Sequence, residues 1–152
     1  MRIAVTNAQC QAPVPINQVT RLARCTARRL GIRTNGILTI AFIGMQRMRR
    51  LNRETLHHDW TTDVLTFRYD DAPLVGDILI APAVARTYAK EHGIPYQEEL
   101  SRYVVHGLLH WVGHEDKTPA QQKRMRVLED QLLRHCGMKS PNTKFQTSNN
   151  HQ

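Results

Sequence analysis

No acidic residue occurs between Met1 and Arg53; Glu54 is the first. Over the same stretch stand Arg2, Arg21, Arg24, Arg28, Arg29, Arg33, Arg47, Arg49, Arg50 and Arg53, without a single lysine. The whole chain carries a formal charge of +8, with a pI near 9.9. A one-signed region of this kind points to an anionic partner, nucleic acid before an acidic membrane surface. Arginine adds a planar fork that fits phosphate oxygens, although an arginine-rich genome would produce the same bias. Cysteine is scarce as well: Cys10, Cys25 and Cys136 are odd in number, far apart and without a CxxC pair. That usage predicts reduced thiols in a cytosolic protein and speaks against a disulfide framework. No apolar run approaches the roughly 20 residues that span a bilayer, and Met1 to Asn7 lacks the apolar core of a signal peptide. The expectation is a cytoplasmic protein without a membrane partner.

What is present suffices for one globular unit. At 152 residues and 41% apolar content, the chain can bury a core but is too short for two comfortable domains. Ile3 to Thr6 reads as a strand. Ile16, Val19, Leu22, Ala23, Ala27 and Leu30 recur at helical spacing, with Arg21, Arg24 and Arg28 on another face. The β-branched run Ile37 to Ile43, set between Gly36 and Gly44, predicts a buried strand. A short basic helix from Met45 to Asn52 follows, then a polar loop, His57 to Asp63. Val64 to Tyr69 and Gly76 to Ala81 read as strands around an Asp70-Asp71-Ala72-Pro73 turn. Pro82 opens a helix ending near His92, Pro95 opens another that runs to Val112, and Gln121 to His135 reads as a last amphipathic helix. Residues 140–152 are polar and aperiodic, so a disordered tail is expected after a domain spanning 1–139. The order implies an α+β fold, a sheet of about four strands packed against several helices.

The densest chemistry lies between His106 and Asp116. His106 and His110 are four residues apart in an apolar helical run, so both imidazoles leave one face, one turn apart. Gly113 supplies a stop, and His114, Glu115 and Asp116 follow. On a straight helix His106 and His114 would be roughly 12 Å apart along the axis, too far to share an ion whose ligands lie at about 2 Å. The chain must therefore turn back at Gly113, and Asp116 fits a returning third ligand better than the alternative, His114, which sits in the turn. Two histidines and an aspartate leave one position open, as in catalytic zinc sites. The competing reading is a plain polar helix face with a glycine cap. His92, His135 and His151 fall outside the pattern, and Trp111 reads as core.

One absence here excludes a mechanism. Zinc peptidases of the HExxH type carry their general base beside the first histidine; that position is Gly107, leaving only a displaced base such as Glu115. Metal-assisted hydrolysis of another substrate fits better.

His-Gly-Leu-Leu-His-Trp-Val-Gly, Thr62-Asp63-Val64-Leu65-Thr66-Phe67, Gly76-Asp77-Ile78-Leu79-Ile80 and the preceding Leu51-Asn52 together resemble the YbeY-type endoribonucleases, bacterial ribosomal RNA maturation factors. The resemblance runs from about Ile37 to Leu133. It implies a single α+β domain with one zinc ion (other divalent metals possible) that cuts single-stranded RNA. It also implies a role in 3′-end maturation of small-subunit ribosomal RNA and in ribosome quality control, with the ribosomal RNA precursor and small subunit as partners and no small-molecule cofactor. Two departures stand out. Many members have histidine where this chain has Asp116, an anionic ligand that would make bound water a weaker acid and loosen the preference for zinc. Leu56 stands where many have an arginine; His58, followed by Asp59, is the candidate to replace part of that role, against a reading as a loop histidine capping backbone. Arg47, Arg49, Arg50 and Arg53 are the expected RNA-backbone contacts. A non-catalytic ribosome-assembly factor with a structural metal is the alternative from another class, and a zinc metallopeptidase the third.

Overall fold

Ile37-Leu38-Thr39-Ile40-Ala41-Phe42-Ile43 has apolar residues on both of its faces, which suits only an interior strand. In a computed structural model describing residues 1–33, 35–56 and 62–137, it is one of the two inner strands of a four-stranded sheet. The elements run β1 (Arg2–Ala8), α1 (Ile16–Arg29), β2 (Ile37–Ile43), α2 (Met45–Leu56), β3 (Val64–Asp71), β4 (Leu74–Ile80), α3 (Pro82–His92), α4 (Tyr96–Trp111) and α5 (Pro119–Cys136). The sheet order is β1-β2-β4-β3. β1 and β4 flank β2 in parallel and β3 pairs antiparallel with β4. This is the expected α+β domain.

Strand alternation separates two apolar layers. Leu38, Ile40, Phe42, Ile78 and Ile80 join the main core with α1, α4 and α5, among them Val19, Leu22, Val104, Leu108 and Met125. Residues of the opposite parity, Ile43, Leu65, Ala41, Phe67 and Leu79, meet Met48 and Leu51 of α2. Helices α4 and α2 therefore cover opposite faces of one sheet. Trp111 is buried, as expected of core.

Three readings are corrected. The basic helix continues past Asn52 to Leu56, because Arg53, Glu54 and Thr55 carry no helix-breaking chemistry. The strand after Asp63 reaches Asp71, so only Ala72-Pro73 connects it to β4; Asp70 Oδ1 accepts from the Asp71 and Ala72 amides and closes the hairpin. The thiols are not all free. Cys25 and Cys136, 111 residues apart in sequence, are joined as a disulfide with Cα atoms 5.7 Å apart, while Cys10 is free and exposed. Sequence spacing could not show this pair, since only the packing of α1 beside α5 brings it together. Residues 57–61, which include His58, and 138–152, which include the expected tail, lie outside the described residues. Among the described residues no helix is long and apolar enough to cross a membrane.

Candidate metal centre

α4 lies directly on the sheet because one residue has no side chain. A Cβ on Gly107 would stand 2.7 Å from Ile78 Cγ2 and 3.2 Å from Val64 Cγ1. A larger residue fits only if the Ile78 side chain, and to a lesser extent that of Val64, shifts, so side chains of the sheet occupy the place of an HExxH glutamate. His106 and His110 then project from the flank of the helix rather than into the core.

The turn after α4 is fixed from both ends. Gly113 has φ +101°, a left-handed conformation that costs glycine little. Its amide donates to the His110 carbonyl and the His114 amide to the Leu109 carbonyl, the double closure of a Schellman cap. Arg68 donates to the Trp111 carbonyl and lies 4.8 Å from the Trp111 ring centre, bracing the same helix end. Five residues on, Thr118 accepts from the Gln121 amide while the Gln121 side chain accepts from the Thr118 and Lys117 amides, a capping box that starts α5. Asp116 stands between these two closures, so its position is set by backbone geometry.

The result is a convergence of three donor atoms. His106 Nε2 and His110 Nε2 are 2.9 Å apart, and Asp116 Oδ2 is 3.4 Å from the first and 3.3 Å from the second. Ligands held tetrahedrally at 2.0–2.1 Å from zinc would be about 3.3 Å apart. The donor set fits a metal ion, and it is the one group of three or more metal-ligating side chains among the described residues. His114 is not in it; its side chain is half-exposed and lines a separate depression with Glu115 and Arg124.

The sequence did not reveal the group behind the first histidine. Glu129 of α5, only 4% exposed, places Oε2 2.6 Å from His106 Nδ1. A carboxylate accepts, so Nδ1 donates and Nε2 is left as the lone pair facing the cluster. Two imidazole lone pairs cannot face each other at 2.9 Å without a proton or a cation to bridge them. Glu129 Oε1 accepts from Arg102 at 3.1 Å, and Arg102 donates on to Asp130 at 2.8 Å. This is the carboxylate–histidine arrangement that fixes tautomer and ring angle at metal sites. Burial pulls the His106 pKa down, but the Glu129 hydrogen bond and charge, with Asp63 and Asp116, raise it overall. One signal could have found Glu129: it falls in the apolar register of α5, four after Met125 and three before Leu132, where a carboxylate needs a partner.

Beside the cluster is a cavity of about 270 Å³, lined by Asp63, Glu99, Arg102, Tyr103, His106 and Asp116 among others. The exposed Arg47, Arg49, Arg50 and Arg53 lie on α2, on the other side of the sheet. The structure thus brings together His106, His110 and Asp116 and leaves the arginines apart from them.

Comparison with known proteins agrees with the fold and the motifs. The family model described as Endoribonuclease YbeY matches residues 4–137, and the chain belongs to that family. Endoribonuclease YbeY of Myxococcus xanthus is 40% identical over 108 residues, 66% of this chain but only 37% of that protein. Endoribonuclease YbeY of Chlamydia abortus is 31% identical over 143 residues, covering 88% of this chain and 89% of its relative. The solution structure of TM1509 from Thermotoga maritima shares the fold, with a TM-score of 0.58 at 20% identity over 93% of this chain and 99% of that one.

Proposed function

We propose that this protein is a metal-dependent endoribonuclease that cuts single-stranded RNA. In this reading it acts in the cytoplasm, in 3′-end maturation of small-subunit ribosomal RNA and in ribosome quality control. Family membership supports RNA cleavage. The observation that carries metal dependence is the triangle of His106, His110 and Asp116 donors, with His106 held by buried Glu129.

His106, His110 and Asp116 would hold the ion, zinc by their number, type and spacing. When bound, a metal of this kind lowers the pKa of water and polarises a phosphoryl oxygen. The protein's own part is positional. Glu129 keeps the His106 proton on Nδ1, Arg102 holds Glu129, and the Schellman turn and capping box fix Asp116. Asp63 lines the adjoining cavity and anchors the start of β3, its Oδ1 accepting from the Val64 amide and its carbonyl from the Ala81 amide. His58 is retained as a catalytic candidate because it stands only five residues before Asp63 in the sequence. Leu56, the last residue of α2, and Asp63, on the cavity, are seven positions apart in the sequence, at most about 23 Å of chain. Arg47, Arg49, Arg50 and Arg53 are thus proposed to hold the RNA backbone entering from the α2 side.

The test is cleavage of single-stranded RNA by metal-loaded protein beside His110→Ala. Activity confined to the wild type supports the enzyme. Equal activity in both would mean a contaminating nuclease. A metal-binding protein that cuts nothing would favour the assembly-factor reading. Against the peptidase reading stands Gly107 in the place of the usual base, with the Ile78 side chain packed against it.

A further inference from the structure

Helix α4 presents Glu99, Tyr103, His106 and His110 at steps of four, three and four residues, a continuous polar seam on an otherwise buried helix. The last two belong to the donor cluster. The first two have no assigned task, yet both are deeply buried, Glu99 at 5% and Tyr103 at 6% exposure, and both line the cavity that reaches His106 and Asp116. Neither the Glu99 carboxyl nor the Tyr103 hydroxyl has a side-chain hydrogen bond among the described residues, whereas their neighbours do: Ser101 donates to the Gln97 carbonyl and Arg102 to Glu129 and Asp130. Both polar ends open on the cavity rather than being sealed in the core, so they are available to a ligand that enters it. A ligand with a hydrogen-bond donor for the carboxyl and an acceptor for the phenol engages both.

Dimensions and lining narrow the ligand. About 270 Å³ lies just below the roughly 300–1,000 Å³ of small-molecule pockets, room for one ring system rather than a length of chain. Tyr88, the Tyr103 ring and Met125 supply apolar and aromatic wall. Glu99 precedes His106 by seven residues, about 10.5 Å along the helix. That is comparable to the reach of one nucleotide from its phosphate, through the sugar, to the far edge of its base. Aromatic wall with a polar floor is how enzymes hold an unstacked base.

We propose that Glu99 and Tyr103 form the floor of a nucleobase pocket, reading the edge of the nucleotide whose phosphate lies at the His106–His110–Asp116 cluster. The inference rests on the endoribonuclease reading and adds a specificity to it. A carboxyl oxygen accepts from an exocyclic amino group, as in carboxylate contacts to cytosine. Cytosine, adenine and guanine offer one; uracil has none, and its one edge donor, N3–H, stands between two carbonyl oxygens that repel a carboxylate. The pocket therefore discriminates against uridine.

The experiment has two arms, both on the full chain. Oligoribonucleotides differing only in the base beside the cut are compared by kcat/KM for wild type, Glu99→Gln and Tyr103→Phe, with metal content measured in each. The expected result is a preference for cytidine over uridine of about 5- to 100-fold, which collapses in Glu99→Gln, whose amide can donate to uracil, at unchanged metal content. Tyr103→Phe weakens it in the same direction and carries the test if Glu99→Gln does not fold. An equal profile for the four bases in the wild type, or the wild-type profile kept in both variants, overturns the pocket. The second arm is calorimetric titration with cytidine and uridine 5′-monophosphates. If the wild type cuts no RNA, the endoribonuclease reading fails by itself. The titration still decides the pocket, since equal affinities unaltered in either variant would overturn it.

Discussion

Helices α4 and α2 cover opposite faces of the same sheet with opposite chemistry. α4, α5 and the turn between them collect carboxylates, Glu99, Asp116, Glu129 and Asp130, around two histidines, and nearly every one has a fixed neighbour. α2 carries four exposed arginines on a helix anchored by Met48 and Leu51, with no acid in its first turn. The difference is one of tolerance. A metal centre needs donors placed within tenths of an ångström, so its surroundings are buried and capped. Attraction to a phosphate backbone acts over about a Debye length and needs only charge on a surface.

The sharpest break in this contrast comes from removing a donor. His110→Ala is expected to abolish stoichiometric metal and RNA cleavage together, while the far-ultraviolet circular dichroism stays native. Asp116→Ala should likewise lose stoichiometric metal, whereas His114→Ala should keep it. Metal analysis of the three purified variants decides the third ligand, and retention of metal in Asp116→Ala would refute the donor triangle.

The group behind the donors should matter next. Glu129→Gln is expected to weaken metal binding by about 10- to 100-fold, read by competition with a chelator. The same change has a pH signature in metal-free protein. Because the folded His106 pKa is raised, its contribution to stability is fully present below the unfolded value of about 6.5 and is lost as pH rises through the folded value. The metal-free wild type should therefore lose thermal stability over that window, and Glu129→Gln should lose less. Parallel profiles of Tm against pH would show that Glu129 does not set the proton on His106.

How far this contrast could be read from the sequence depends on the kind of constraint. His106, His110, Gly113 and Asp116 lie within eleven consecutive residues, so helical rise and one glycine were enough to group them. Glu129 and Arg102 belong to the same site but come from different helices, and only the packing of α5 on α4 makes them neighbours. Cys25 and Cys136 were misread for the same reason, being joined through tertiary contact across 111 residues. Strand and helix bodies followed from periodicity, while their ends were set by hydrogen bonds of single side chains such as Asp70. Gly107 was read as a missing base; its physical cause, contact with Ile78 and Val64, needed the sheet.

That contact gives a moderate effect. Gly107→Ala pushes a methyl against the branched ends of two core residues and is expected to cost about 1–3 kcal/mol of stability by overpacking. The gain in helix propensity, up to about 1 kcal/mol, offsets part of this. Urea unfolding with unchanged m-value would measure it. Equal or higher stability would show that the Ile78 and Val64 side chains yield, and that the absence of a side chain at Gly107 does not set the seat of α4.

The smallest effect per residue is expected on α2. Replacing Arg47, Arg49, Arg50 or Arg53 by glutamine removes charge from an exposed surface and leaves the donors untouched, so metal content should not change. If each arginine neutralises one phosphate of a single strand, each replacement lowers the slope of log affinity against log salt by about 0.7. The four together should then flatten it by nearly three while leaving the preference among bases intact, because backbone charge carries no sequence information. Binding of a labelled oligoribonucleotide across a salt series reads the slope directly. A slope unchanged in the fourfold variant would move the RNA path off α2, and the exposed arginines of α1, Arg21, Arg24 and Arg28, would be the next to replace. A slope change accompanied by loss of metal would show instead that the two faces of the sheet are coupled.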